Sequence, residues 1–150
     1  MQNEVKILRL SHTDLSLFKE LIGLLNRVFE EYNSTASDQQ LNNLLVDSKF
    51  YAVVAIIDGK IVGGLTAYEL QKYYRDNSEL YLYDIAVKIE LQHQGIGKKL
   101  VYYLKDCGLK NNIETIFVEA HSDDIEAVKF YEAIIGTSEK VDHFNLEIKK

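Results

Sequence analysis

The sequence predicts an α/β domain with a mixed, mostly antiparallel sheet flanked by about four helices. This prediction rests on the length of 150 residues, the apolar fraction of 47%, and apolar positions that recur in some segments at strand spacing and in others at helix spacing. The length is typical of one domain with one core, so we expect residues 1–150 to form a single domain. The composition excludes a disordered linker protein.

The first third of the chain predicts one strand and two helices. Residues 4–10 indicate a short strand, and Thr13 or Asp14 can cap the helix that follows. Apolar residues recur along one face of this helix, which predicts that the face is buried. The polar stretch 33–36 ends the helix, and a capping box at 37–40 begins a second, shorter one.

The middle of the chain predicts three strands. Residues 50–57 are an apolar, β-branched run, Asp58 and Gly59 are a hairpin signal, and the strand pattern resumes at 61–70. A second turn leads to the third strand at 79–87. We expect these strands to form an antiparallel meander.

The last third returns to alternating helices and strands. A helix follows a glycine-containing loop and ends near Lys110, and a strand at 113–120 comes next. Asp123 or Asp124 can cap another helix, and the alternation at 140–149 predicts a closing strand. This order of elements is typical of a mixed α/β domain.

The net charge limits the kinds of binding partner that we expect, and the cysteine count bears on the cellular compartment. The formal net charge of −6 argues against non-specific nucleic-acid binding and is compatible with a cationic partner. The one cysteine cannot form an internal disulfide. The N-terminus lacks the apolar stretch of a signal peptide, and no apolar run approaches the roughly 18–20 residues of a membrane helix. We therefore expect a cytoplasmic domain that binds neither nucleic acid nor membranes.

No metal site is predicted. The histidines at 12, 93, 121 and 143 are not spaced as metal ligands, and a single cysteine cannot build a structural zinc site. Cys107 falls on the apolar face of its helix without a basic neighbour, so we expect a packed thiol rather than a nucleophile. His121 ends a strand near the expected cleft and is a candidate substrate contact.

The loop before the third helix is the most informative segment. It carries Gly95 and Gly97 between a strand and a helix, with Lys98 and Lys99 directly after. Glycines allow close approach of a ligand, and the amides of a helix N-terminus favour phosphate. The spacing is neither that of a Walker loop nor that of a dinucleotide fingerprint. Taken alone, the pattern is compatible with phosphate binding or with a tight turn.

Two blocks of sequence resemble the GCN5-related N-acetyltransferases. The first is Gln92-x-x-Gly95-x-Gly97, which follows the strand ending at Val87 and is similar to that family's acetyl-CoA signature. The order of elements fits the GCN5-related N-acetyltransferase fold over essentially the whole chain. The second block consists of Asp124, Ala127 and Tyr131.

The resemblance is closer to one subgroup, the type I aminoglycoside 3-N-acetyltransferases. Residues 79–87, the Asp123-Asp124 pair and the ending at 143–146 are similar to that subgroup. One departure is that the chain is one residue longer between Tyr131 and the closing strand, where Gly136 falls one place late.

The resemblance implies acetyl-CoA as the acetyl-donor cosubstrate and direct attack by the acceptor amine, without a covalent acyl-enzyme. A backbone amide near Ala86 or Val87 would polarise the thioester carbonyl, and Tyr131 would return a proton to the thiolate. Without the resemblance, the spacing of Tyr131 would favour a helix residue whose ring packs in the core. The residues implied for the donor are Ile85, Ala86, Val87, Gln92, His93, Gln94, Gly95, Ile96, Gly97, Lys98, Asp124, Ala127 and Tyr131.

The acceptor must lose a proton before it attacks. Freeing an alkylammonium of pKa ~10.4 at pH 7 costs about 4–5 kcal/mol, so a nearby carboxylate would assist. Asp84 is the first candidate because it interrupts an apolar strand just before the carbonyl-binding amides, and Glu79 is the second. Asp84 could instead accept hydrogen bonds from a neighbouring loop and never meet substrate.

A polycationic acceptor needs several carboxylates around its pocket. Asp123 and Asp124 also have a competing task as helix caps, and the charge run Glu30-Glu31 is expected to be a solvated helix end. The candidate substrate contacts are Glu79, Tyr83, Asp84, Glu119, His121, Asp123 and Asp142.

These observations predict an acetyl-CoA-dependent aminoglycoside 3-N-acetyltransferase that confers antibiotic resistance. One alternative is the same chemistry on a polyamine or a peptide amine. Another is an acyl-CoA-binding module without catalysis. The resemblance further implies a homodimer.

Overall fold

The computed structural model describes residues 3–149. Their internal contacts form two compact units, one ending at Glu119 and the other beginning at Ala120. The first unit contains the sheet and three of the helices. In the second unit, one helix follows a short loop, and residues 136–149 after it have no helix or strand.

The sheet has five strands in chain order. They are β1 (Lys6–Arg9), β2 (Phe50–Ile57), β3 (Lys60–Gln71), β4 (Ser78–Val87) and β5 (Ile113–Val118). The first four pair antiparallel, and β5 runs parallel to β4. This confirms the predicted meander and the mixed, mostly antiparallel sheet.

Four α-helices accompany the strands: α1 (Leu15–Val28), α2 (Asp38–Val46), α3 (Ile96–Lys110) and α4 (Ile125–Ile134). A short 3-10 helix at Ile89–Leu91 precedes α3. Apolar side chains of α1 and α2 pack with Phe50, Ala52 and Val54 on one face of the sheet. On α3, Leu100 and Leu104 are fully buried. Among residues 3–149, none of the helices has both the length and the apolar character to cross a membrane.

Local signals explain where several elements begin and turn. The Ser37 hydroxyl accepts a 3.2 Å hydrogen bond from the Gln40 amide, which caps α2 as predicted. Asp58 and Gly59 have φ of 50° and 76°, as expected for a two-residue hairpin turn between β2 and β3. Gly64 of β3 lets α1 approach the sheet, because a Cβ there would lie 2.4 Å from a methyl group of Leu21.

The predicted closing strand at 140–149 is wrong. Alternating side chains stabilise a strand only where a neighbouring strand supplies hydrogen bonds, and this segment belongs to no ladder in the described residues. Its apolar side chains are accordingly exposed, with Phe144 at 88% and Leu146 at 90%.

Two details of α1 also differ from expectation. The helix ends at Val28, before the polar stretch, because Glu30 adopts a left-handed φ of 54°. Asp14 occupies the N-cap position, but its carboxylate accepts a 2.7 Å hydrogen bond from the Ser11 amide instead of from the helix.

Candidate active site

The sheet opens between β4 and β5. Their parallel ladder ends at the pair Leu82–Val118, whereas β4 continues to Val87. Among residues 3–149, the last part of β4 therefore pairs with β3 on one side and with no strand on the other. Backbone groups that face the open side are available to a ligand, and this opening lies directly before the loop that leads to α3.

The amide of Val87 faces the open side of β4. The Lys88 amide donates to the Val62 carbonyl at 2.8 Å, and the Ala86 carbonyl lies on the β3 side, against Gly63. Because backbone groups alternate in direction along a strand, the Val87 amide points away from β3. Of the two amides expected to polarise a carbonyl, the geometry favours Val87.

The loop after β4 is tied to the strand end. The Gln92 side-chain amide donates a 3.0 Å hydrogen bond to the Val87 carbonyl. His93 and Gly95 both have positive φ, 63° and 85°, so the chain reverses tightly before α3. The side chains of His93 and Gln94 are exposed.

The N-terminus of α3 forms an anion cradle. Gly95 is the N-cap, and the first intrahelical bond there runs from the Lys99 amide to the Gly95 carbonyl at 3.1 Å. The amides of Ile96, Gly97 and Lys98 therefore have no acceptor one helical turn earlier, and they carry the positive end of the helix dipole. A Cβ at Gly95 would meet nothing within 4 Å, so the approach is open. This set of donors fits the pyrophosphate of a nucleotide cofactor such as coenzyme A.

Asp84 is a half-buried carboxylate near this opening. It lies in β4 opposite Thr66 of β3. Burial, and to a smaller extent the negative charge of Glu31, raises its pKa from 3.8 to about 6. A carboxylate with a pKa in this range is better suited to exchange protons near neutral pH than an exposed one.

Glu31 was expected to be only a solvated helix end. Although exposed, it is close enough for its charge to raise the pKa of Asp84. The Asn33 side chain donates a 3.0 Å hydrogen bond to the Glu31 carboxylate. Nothing in the sequence indicates this proximity, because it depends on how the end of α1 packs over β4.

Tyrosines surround Asp84 on β3 and β4. Tyr83 precedes it at a register shift and opposes no residue of β3. The Tyr83 ring is 57% exposed and contacts the rings of Tyr68 and Tyr81, each with centroids 5.6 Å apart. The Tyr81 hydroxyl donates a 2.6 Å hydrogen bond to the Glu119 carboxylate, which raises the pKa of Tyr81 to about 12. Tyr68 and Tyr81 were not predicted as site residues, although the alternation of Tyr81 and Tyr83 was visible.

The structure does not bring Glu79 to this opening. Glu79 pairs with Leu70 and Thr115 near the start of β4. Five residues of strand, roughly 16 Å, separate it from Asp84. At the turn between β3 and β4, the hydrogen bond from Lys72 to Glu114 raises the pKa of Lys72, and the charge of Glu79 makes a smaller contribution in the same direction.

The remaining candidates lie in the second unit. Asp124 caps α4, where its carboxylate accepts a 3.2 Å hydrogen bond from the amide of Ala127. Tyr131 lies on the same helix and its ring contacts Phe130, with centroids 5.3 Å apart. His121 and Asp123 are exposed in the loop before α4, and Asp142 is exposed in the segment after it.

Two negative expectations concern metals and thiols. Within residues 3–149, no group of histidine, cysteine, aspartate and glutamate side chains is arranged to hold a metal ion. Burial raises the pKa of the Cys107 thiol, which disfavours the reactive thiolate.

Comparison with known proteins agrees with this geometry. Residues 18–136 match the profile of the Acetyltransferase (GNAT) family. Crystal structures of an aminoglycoside acetyltransferase from an uncultured soil metagenomic sample, in complex with trehalose and with sisomicin, are 40% and 39% identical and match 97% of both chains with TM-scores of 0.92 and 0.93. A second such acetyltransferase from a soil metagenomic sample is 30% identical, with a TM-score of 0.93 over 97% of this chain and 99% of its own. No curated protein sequence matches.

Proposed function

Because the chain belongs to the GNAT acetyltransferase family, and is thereby an N-acetyltransferase that uses acetyl-CoA, we propose that it acetylates the 3-amino group of aminoglycosides. The observation that carries this proposal is its similarity over nearly the whole chain to aminoglycoside acetyltransferases, one of them in complex with sisomicin. The 3-amino position is supported by the subgroup resemblance of residues 79–87 and 143–146.

The binding site of acetyl-CoA is assigned to the opening of the sheet beside β4 and to the loop that leads from β4 to α3. Acetyl-CoA supplies the acetyl group as a thioester. The amides of Ile96, Gly97 and Lys98 would hold its pyrophosphate, and the Val87 amide would donate to the thioester carbonyl oxygen. Donation by a fixed backbone amide requires no rearrangement as negative charge develops on that oxygen.

Asp84 is assigned as the group that takes the proton from the acceptor. Its raised pKa and its position in β4, three residues before Val87, support this role. The amine nitrogen forms a bond to the carbonyl carbon, the carbon–sulfur bond breaks, and the amine's proton passes to the Asp84 carboxylate, directly or through water. Glu79 is the weaker candidate because of its distance along the strand.

Tyr131 is assigned as the residue that donates a proton to the departing sulfur. A phenol and an alkyl thiol have similar pKa values, so the transfer is nearly balanced. The assignment rests on the block formed by Asp124, Ala127 and Tyr131. His121, Asp123 and Asp142 stay proposed acceptor contacts of the second unit.

We also propose a homodimer in which a second copy covers the apolar side chains of the C-terminal segment. Val141, Phe144 and Ile148 are 69, 88 and 94% exposed, as is Leu146 at 90%. A contiguous set of exposed apolar side chains is typical of a surface that another protein molecule covers.

The exposed apolar area is sufficient for such a dimer. Full burial of one such side chain stabilises by about 1.5–3 kcal/mol, and at about 25 cal/mol per Å² this corresponds to about 60–120 Å² of buried apolar surface. Four side chains in each of two copies, with the surfaces they cover, would bury roughly 1,000–1,900 Å², the size of a stable interface. Light scattering should find a dimer at micromolar concentration. Leu146→Glu should give monomers, whereas Asn145→Glu, which adds the same charge one position away, should not.

The acceptor is tested by thiol release from acetyl-CoA across a panel of amines. The panel contains aminoglycosides with and without a free 3-amino group, spermidine and a short peptide. Thiol release only with compounds that have a free 3-amino group supports the proposal. Release with spermidine or peptide instead would support acetyl transfer to an amine but would contradict the proposed acceptor. Silence with every amine, together with tight acetyl-CoA binding, would favour a non-catalytic binding module.

A cytoplasmic location and a role in antibiotic resistance follow from this proposal. Expression in a susceptible bacterium should raise the inhibitory concentration of aminoglycosides with a free 3-amino group. The same cells should show no change towards aminoglycosides in which that amine is blocked.

A further inference from the structure

A continuous row of aromatic rings crosses the sheet towards Asp84. The contacts run from Phe18 of α1 to Phe50 of β2 and then to Tyr68 of β3, with ring centroids 5.7 and 5.2 Å apart. Tyr68 contacts Tyr83 at 5.6 Å. The row continues through Tyr81 to Phe117 of β5, whose rings are stacked with centroids 4.8 Å apart.

The row changes from core to surface along its length. Phe18 and Phe50 are almost fully buried, at 3 and 4% exposure, whereas the Tyr83 ring is more than half exposed. On the opposite side of β4, Leu80 and Leu82 are completely buried. The partly buried Tyr68 and Tyr81 and the exposed Tyr83 are thus an outward extension of the packed core.

Neighbouring rings hold the exposed Tyr83 ring in place. Tyr83 meets both Tyr68 and Tyr81 at steep angles of 78° and 68°, the edge-to-face arrangement that aromatic pairs favour. The Tyr81 ring is further fixed by its hydrogen bond to Glu119. A ring that is exposed but already ordered loses little conformational entropy when a ligand covers it.

Carboxylates accompany these rings. Asp84 is adjacent to Tyr83 in sequence, and its charge raises the pKa of both Tyr68 and Tyr81, with larger contributions from burial of Tyr68 and from the Glu119 hydrogen bond of Tyr81. Glu119 is held at the Tyr81 hydroxyl. The surface therefore offers aromatic faces beside negative charge.

We infer that the tyrosine platform, defined as Tyr68, Tyr81 and Tyr83, binds the apolar face of a saturated ring that carries ammonium groups, and so selects ring-bearing acceptors over linear ones. This inference deepens the proposed function and rests on it for the identity of the acceptor. The C–H face of an amino sugar or aminocyclitol covers an aromatic ring, while its ammonium groups reach the carboxylates and gain cation–π attraction. A linear polyamine has the charge but no rigid apolar face to place on Tyr83.

The test compares Tyr83→Leu with the conservative variant Tyr83→Phe. Tyr83→Leu keeps an apolar side chain but removes the aromatic face, and we expect the KM for an aminoglycoside to rise about tenfold, equivalent to ~1.4 kcal/mol. The KM for acetyl-CoA should stay within about twofold of wild type, as expected for loss of an acceptor contact alone. Tyr83→Phe restores the ring and should recover most of the lost acceptor affinity. Tyr73→Leu, at a tyrosine that is 99% exposed in the turn after β3, is the matched control and should change neither constant.

Binding measured without turnover separates this inference from the proposed function. Calorimetry with an aminoglycoside and with spermine, a linear amine of similar charge, should show that Tyr83→Leu weakens only the ring-bearing ligand. If the protein binds ring-bearing amines through Tyr83 but acetylates none of them, the proposed function is wrong and the platform stands. Equal weakening of both ligands, no weakening of either, or a rise in the acetyl-CoA KM in place of the acceptor KM would overturn the platform.

Discussion

Gln92 donates its side-chain amide to the carbonyl of Val87, at 3.0 Å, and so fixes the loop before α3 to the end of β4. This hydrogen bond connects two backbone features that we assign to the binding of acetyl-CoA. One is the amide of Val87 on the open side of the strand, and the other is the group of free amides at the start of α3. This tether acts together with the backbone hydrogen bond from the Leu91 amide to the Lys88 carbonyl in holding the two features at a fixed separation.

Replacing Gln92 by alanine should therefore weaken acetyl-CoA binding more than it weakens the fold. Loss of one hydrogen bond to a partly buried carbonyl costs about 0.5–1.5 kcal/mol. We expect a rise of roughly three- to tenfold in the KM for acetyl-CoA, with the acceptor KM nearly unchanged. Steady-state kinetics and a thermal melt measure both effects. Gln39→Ala, on the exposed surface of α2, is the control. An equal rise in the acetyl-CoA KM in this variant would show that the hydrogen bond between Gln92 and Val87 has no specific role in binding.

Gly95 and Gly59 form a matched pair for testing the anion cradle. Both have left-handed φ, 85° and 76°, and neither would bring a Cβ within 4 Å of another atom. Alanine at either position should cost about 1–2 kcal/mol of stability through backbone strain. Only Gly95→Ala should also raise the dissociation constant of coenzyme A, measured by calorimetry. The cradle assignment fails if the two variants bind coenzyme A equally well.

Asp84→Asn tests the proposed base through the pH dependence of the rate. Because the pKa of Asp84 is about 6, kcat/KM for the acceptor should rise as pH increases through 6, where the carboxylate ionises. Asparagine cannot accept the proton, so the variant should lose this limb and most of the activity. Rates measured from pH 5 to 9 show the difference. An unchanged limb in Asp84→Asn would mean that another group titrates.

The same substitution should stabilise the protein at neutral pH. The pKa of Asp84 is raised on folding, so the folded state binds this proton more tightly than the unfolded chain. The contribution of Asp84 to stability is then greatest below about pH 4 and is lost as pH rises through 6. After allowance for partial solvent screening, Asp84→Asn should gain about 1–2 kcal/mol at pH 8 and almost nothing at pH 4. Denaturant unfolding at the two pH values measures this, and a variant less stable at pH 8 contradicts the sign.

Two substitutions of Asp124 distinguish its role as a helix cap from a role in binding acetyl-CoA. Its carboxylate caps α4, so Asp124→Ala should cost about 1 kcal/mol, and Asp124→Asn should restore that stability because asparagine caps equally well. Ser37→Ala at the start of α2 is the matched loss of a cap. If acetyl-CoA affinity falls in Asp124→Asn while stability is intact, the charge has a function beyond the cap.

Local sequence signals predicted the elements that local chemistry determines. The Asp58-Gly59 turn fixed the hairpin of β2 and β3, and the Ser37 cap fixed the start of α2. The glycine loop predicted the start of α3, because Gly95 must adopt a left-handed conformation there. Each of these signals depends on residues only a few positions apart.

Features that depend on distant contacts could not be predicted in this way. The closing strand was wrong because the alternation at 140–149 has no neighbouring strand in the described residues. The influence of Glu31 on Asp84 and the contact of Tyr68 with Tyr83 join elements far apart in the chain. The sequence already favoured Asp84 over Glu79, but only the strand register shows how far apart the two carboxylates lie along β4.

The position of the acetyl group on the product decides whether the protein acetylates the 3-amino group. One aminoglycoside with several free amines is incubated with acetyl-CoA and the protein, and the isolated product is analysed by two-dimensional NMR. We expect a single acetyl group on the 3-amino nitrogen. Acetylation at any other amine, with the 3-amino group left free, would contradict it.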